Sequence, residues 1–181
     1  MLTNGYAANG TIKDTIISKI ELAELQHHRS GEQHGERSLL MSGKETKLNL
    51  GFVTTYSGRW PKELPEKRNK EYSAWLEENL PQAHVVRASQ IGCTKDALEA
   101  IVKEFKEASV DVMVMVYGAF TGDDAAAYLT EMLHLPVILW APYEVPFEKD
   151  ERLYANALCS MTMNAAALRR LGASYHTVYG S

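Results

Sequence analysis

From Lys47 onward, short apolar runs alternate with segments whose apolar residues recur every three or four positions, the periods of buried strands and amphipathic helices. Leu48–Thr55 is the first run, and the loop after it holds Gly58, Pro61 and Pro65. A helix over about 66–79 follows, with Tyr72, Trp75 and Leu76 on one face and Pro81 beyond its end. His84–Ala88 reads as a second strand. Thr94 suits an N-cap, and Ala97, Leu98, Ile101, Val102 and Phe105 form one stripe behind it. Val110–Tyr117 is the most continuous apolar run, as expected of a strand covered on both faces. Asp123 and Asp124 open a third helix through Leu133, and Pro136–Trp140 is the fourth strand. A helix from about 149 to 171 carries Leu153, Ala157, Met161, Ala165 and Leu168, with Gly172 placed to end it. Tyr175–Tyr179 is the fifth strand.

Strands alternating with helices in this way predict a three-layer α/β/α domain over 47–181. Right-handed crossovers place the helices on both faces of a parallel sheet, and the five strands are expected in the flavodoxin-like order 2-1-3-4-5. Residues 1–46 differ. They hold several glycines and no strand-like run, and read as a helical arm and linker. Thr11-Ile-Lys-Asp14 resembles a capping box, opening a helix with Ile12, Ile16, Ile20 and Ala23 on one face, while Ser30–Lys47 reads as linker. Those isoleucines need an apolar surface, expected between subunits or on an exposed helix.

Composition narrows the function classes. The chain has 181 residues, 45% hydrophobic and 23% charged, which suits one globular domain with an appendage. Nineteen Lys and Arg against 23 Asp and Glu give a net charge of −4 without a basic run, so neither nucleic acid nor an anionic membrane is an expected partner. The two cysteines, Cys93 and Cys159, form no CxxC pair, and no apolar stretch is long enough to span a bilayer. A cytoplasmic location is expected. His27, His28 and His34 read as a solvated arm, not a metal site, because no carboxylate or cysteine stands at ligand spacing.

In such a sheet, ligands bind at the carboxyl ends of the strands. The loops there read Thr54-Thr-Tyr-Ser-Gly-Arg-Trp-Pro61, Ser89-Gln-Ile-Gly92, Tyr117-Gly-Ala-Phe-Thr-Gly-Asp-Asp124 and Ala141-Pro-Tyr-Glu-Val-Pro146. Hydroxyls, one guanidinium and aromatic faces suit a polyol, although turns use many of the same residues. The first loop has no GxGxxG or GxxxxGK[ST], which disfavours nucleotide and flavin phosphates. No catalytic set emerges. Glu144, Glu148, Asp150 and Glu151 read as first-turn partners of a helix dipole, Cys159 as core, and Ser57 and Ser160 lack a nucleophile-elbow context.

The order of Ser57-Gly-Arg-Trp-Pro61, Val116-Tyr-Gly118, Leu139-Trp-Ala-Pro142, Asn156–Gly172 and Val178-Tyr-Gly180 resembles the N-terminal domain of the L-fucose/L-arabinose isomerase family, over about Leu48 to Gly180. The resemblance implies a cytosolic, homo-oligomeric aldose–ketose isomerase using Mn²⁺ or a similar divalent ion. It places the metal ligands and the acid/base groups in later domains, so no catalytic, metal or cofactor residue is expected in this chain. It also implies that Arg59, Trp60, Tyr117 and Gly118 border the sugar pocket, and that the domain helps build a neighbouring subunit's site. Such a domain is expected to be silent alone. The alternative is a stand-alone small-molecule or protein-interaction module on the same fold.

Overall fold

The computed structural model describes Asp14, Ser18, Lys19 and residues 47–144 and 155–180. Its elements run β1 (Leu48–Thr55), α1 (Glu63–Asn79), β2 (Ala83–Arg87), α2 (Lys95–Glu107), β3 (Val112–Tyr117), α3 (Asp124–Leu133), β4 (Val137–Ala141), α4 (Ala157–Arg170) and β5 (Tyr175–Tyr179). The strands form one sheet in the order β2-β1-β3-β4-β5, and all four pairings are parallel. The central register runs from Leu50 opposite Val112 to Thr55 opposite Tyr117. This is the flavodoxin-like sheet expected from the alternation of runs.

Alternate residues of each strand feed two cores. Val53, Met113, Met115, Tyr117, Val137 and Leu139 meet Ile101 and Phe105 of α2, Leu129 of α3 and Met161 and Leu168 of α4. Leu50, Phe52, Val112, Val114, Val116, Ile138, Trp140 and Val178 face the other way, where Leu76 of α1 packs with Tyr72 and Trp75. Trp140 is the largest fully buried side chain. Tyr72 and Trp75 meet it edge-on at 4.6 and 5.8 Å, and its indole N–H donates to the Gly180 carbonyl at 2.8 Å.

The element ends show what the apolar pattern alone does not mark. Helix α1 starts at Glu63, not 66, because Pro65 falls in the first turn, where its missing N–H has no helical partner to lose. Strand β3 starts at Val112, not Val110. The Val110 N–H bonds back to the Phe105 carbonyl at 3.0 Å and Ser109 turns left-handed (φ 51°), so these residues close α2. Helix α4 starts at Ala157, not near 149, because Asn156 is left-handed (φ 54°). At its far end Gly172 (φ 70°) donates to Arg169 and Ala173 to Leu168, which completes a Schellman closure. Thr94 caps α2, accepting from the Ala97 N–H at 3.2 Å. Ile12, Ile16, Ile20, the three arm histidines, Glu148, Asp150, Glu151 and Leu153 lie outside the described residues.

Candidate functional site

The strand order reverses between β1 and β3, and the loops leaving their carboxyl ends diverge there. Between them opens a crevice of about 670 Å³. Ser57, Gly58 and Arg59 form one wall, Cys93, Thr94 and Lys95 a second, and Thr121 to Ala125 a third.

Backbone bonds extend the sheet into this rim. Gly118 N–H donates to Thr55, Gly92 N–H to Thr54, and Ser57 N–H to the Phe120 carbonyl at 2.7 Å. The third wall is fixed from below by α4: Ser160 Oγ accepts from the Thr121 N–H at 2.9 Å, and Asn164 Nδ2 donates to the Gly122 carbonyl at 3.1 Å. Ser160 and Asn164 are fully buried, so these two polar residues on the core face of α4 hold a loop in place. An ion pair from Arg170 to Asp123 at 3.3 Å adds a surface tie. Tyr56 lines the crevice beside Cys93. Burial raises the Tyr56 phenol pKa, helped by a hydrogen bond to and the charge of Cys93 and by the carboxylates of Glu66 and Glu63.

Of the four residues expected to border substrate, Arg59 alone lines the crevice, with an exposed side chain. Trp60 is half-buried at the outer edge, its ring 6.3 Å from that of Phe120 and tilted by 39°. The Tyr117 ring lies within the core between the sheet and α2–α4, fully buried. Gly118 sits beneath α1, where an added Cβ would stand 2.8 Å from Pro65 Cα and from Thr54 Cγ2. Tyr117 and Gly118 therefore reach the rim through their backbone, not through side-chain surface on the crevice.

Burial pushes the Tyr117 phenol pKa well above the ordinary tyrosine value, and its hydroxyl has no partner among the described residues. The fold thus holds the neutral phenol while the unfolded chain ionises near pH 10, so this stabilisation is intact below that pH and lost as pH rises above it. Tyr117→Phe should leave the melting temperature at pH 7 unchanged or raise stability by about 1 kcal/mol, since an unpaired buried hydroxyl is removed. It should also soften the alkaline loss of stability. A lower melting temperature in the Phe variant at pH 7 would show that the hydroxyl is satisfied.

The residue that organises the rim was not singled out from the sequence. Arg68 of α1 is buried (3% exposed), and its guanidinium donates to three carbonyls: Tyr117 at 3.2 Å, Gly118 at 3.0 Å and Tyr143 at 2.8 Å. It ties the ends of β3 and β4 to α1. Burial lowers its pKa, while Tyr72, Glu144 and Glu71 pull the other way. A signal was present: Arg68 stands four residues before Tyr72 on the stripe that continues through Trp75 and Leu76.

Glu144 accepts from the backbone N–H groups of Ala155 at 2.6 Å and Asn156 at 2.7 Å, in front of α4. Its carboxylate is thus engaged as an end partner of a helix, as expected for that acidic stretch. Cys159 is half-buried on α4. His84 and His134 are exposed at element ends. Among the described residues, no group of three or more His, Cys, Asp or Glu is placed to hold a metal ion, so these residues offer no ligand set to the Mn²⁺ implied by the resemblance. No helix among the described residues is long and apolar enough to cross a membrane.

A parallel sheet of order 2-1-3-4-5 with an open crevice at its reversal point defines a flavodoxin-like α/β domain. Residues 51–180 match the family described as fucose/sulfoquinovose isomerase, N-terminal domain, and the chain belongs to that family. No curated protein sequence matches it.

Proposed function

We propose that this chain is the substrate-pocket and assembly domain of a metal-dependent aldose–ketose isomerase of carbohydrate metabolism, cytoplasmic and homo-oligomeric, and catalytically silent on its own. The family match over residues 51–180 carries this reading. The full-length parent would hold Mn²⁺ or a similar ion in other domains, where it would supply Lewis-acid polarisation of the sugar carbonyl. What this chain contributes is recognition. Arg59 offers a permanently charged fork of donors to adjacent sugar hydroxyls, and Trp60 and Phe120 offer apolar surface to the sugar's CH face. Tyr117 and Gly118 contribute by holding the rim at a fixed height through Arg68.

The test uses fucose and sulfoquinovose, the sugars named in the family description. At millimolar sugar the chain should melt at a higher temperature, because a ligand that prefers the folded state stabilises it. With Mn²⁺ added, the aldose should remain unconverted. Ketose formation by this chain alone would overturn its catalytic silence. No thermal shift with any pentose, hexose or deoxysugar, combined with tight binding to another protein, would instead favour an interaction module.

Arg59→Ala in a full-length isomerase carrying this domain should weaken sugar binding or turnover by about 1–3 kcal/mol, the usual loss with a charge-assisted hydrogen bond. The melting temperature should barely move, since no hydrogen bond or ion pair of the Arg59 guanidinium occurs among the described residues and its side chain is exposed. Unaltered affinity and turnover would remove Arg59 from the site.

A further inference from the structure

The outward faces of the helices differ in chemistry. Those of α1 and α2 are laced with charge: Lys62–Glu66, Lys67–Glu71, Lys95–Glu99 and Lys103–Glu107 are ion pairs one turn apart, at 3.5 to 3.8 Å. Helix α4 holds no charged residue before Arg169. Its core side carries Ser160, Met161, Asn164, Ala167 and Leu168, so the face turned to solvent centres on Thr162 and Ala166. Leu158 borders that face on one flank and Met163 on the other, 42% and 39% exposed. A lone surface leucine is ordinary, but about three turns of outward helix without a charge are not the pattern of a solvated face.

This face is complementary to itself when two copies of α4 run antiparallel. A two-fold axis then sets each flank of the helix against the same flank of its mate. With the axis at the level of Asn164, Met163 falls opposite Ala166 of the second copy and Thr162 opposite Ala165. Large side chains meet small ones, which lets the helix axes approach to about 8–9 Å. Charge favours the same arrangement. Arg170 is engaged by Asp123, but the Arg169 guanidinium has no ion pair among the described residues. The antiparallel register carries Arg169 past Leu158 to the start of the second copy's α4. There Glu144 supplies a carboxylate, held on the Ala155 and Asn156 N–H groups. A parallel pairing would instead gather four arginines at one end.

We propose that the outward face of α4 is a dimer interface, occupied by the antiparallel α4 of a second copy of this chain. Two symmetric Arg169–Glu144 contacts flank an uncharged centre of Thr162, Met163 and Ala166. The inference gives a surface to the self-association proposed above and rests on that part of the reading, not on sugar binding. One helix face from each partner makes a small interface, so a dimer of micromolar affinity is expected. The crevice walls of Arg59 and Lys95 lie on other elements, so pairing through α4 leaves them free.

Sedimentation equilibrium of the full chain, from about 1 to 300 µM, should show a monomer–dimer equilibrium. Met163→Glu, at an exposed position, should weaken the dimer by about thirtyfold or more and leave the far-UV circular dichroism unchanged. A parent that stays monomeric throughout, or a variant that dimerises as tightly as the parent, would overturn the proposal. A second measurement needs no disruptive change. Thr162→Cys in a Cys93→Ser, Cys159→Ala background is treated with a short bismaleimide, beside Lys103→Cys on the charged face of α2. An adduct of dimer mass from Thr162→Cys alone is expected, and no such adduct, or equal yields from both sites, would sink the pairing. The sugar-dependent thermal shift, measured on monomeric Met163→Glu, reports on the crevice separately, so the two readings can fail independently.

Discussion

Arg68→Met should lower the stability of this domain by about 3–5 kcal/mol, read as a fall in the urea midpoint at constant slope. Methionine keeps much of the side-chain volume, so the loss isolates the guanidinium. Three carbonyls, those of Tyr117, Gly118 and Tyr143, lose their donor together. Hydrogen bonds to a charged donor contribute about 1.5–3 kcal/mol each, and the sum is tempered because the methionine removes the cost of burying the charge. Arg68→Lys should recover only part of the loss, since one ammonium cannot span carbonyls on two strands with a planar fork. A midpoint unchanged in Arg68→Met would mean that the rim is held by other bonds.

Gly118→Val should cost about 3–4 kcal/mol, close to the upper end for overpacking. The added Cβ would stand 2.8 Å from Pro65 Cα, Pro65 Cβ and Thr54 Cγ2. The first of these is backbone within the opening turn of α1, so the helix itself must move. One turn later on that helix stands Arg68, whose bond to the Gly118 carbonyl needs the same close approach. The two variants should therefore be strongly non-additive in a double-mutant cycle: once α1 has lifted away, removing the guanidinium should cost little more. Additive losses would show that Pro65 and Arg68 pack on β3 independently.

The class of fold was legible because the inner strands β1, β3 and β4 are runs buried on both faces, and β1 and β5 fall on the residues the pattern picks out. The α2 stripe of Ala97, Leu98, Ile101, Val102 and Phe105 is likewise the buried set of that helix. Boundaries were less legible where hydrogen-bonded closures decide them: Val110 is apolar enough for a strand but ends a helix, because Ser109 turns left-handed before it. The site divides in the same way. Arg59 could be placed on the crevice wall, because its loop follows the first strand of a sheet whose order was legible. Tyr117 carries two signals, a rim position and a place in a run buried on both sides, and packing governs its ring. Arg68 depends on carbonyls 49 to 75 residues away, so nothing in its neighbourhood reports what it binds.

Through its bonds to the Ala155 and Asn156 N–H groups, Glu144 clasps the chain after β4 to the start of α4, 11 and 12 residues further on. The entropy of closing a loop rises only with the logarithm of its length, about 0.6 kcal/mol for each doubling. Extra sequence, such as a grafted peptide or reporter, inserted between these clasped points is therefore expected to cost little stability, provided that Glu144 itself is kept.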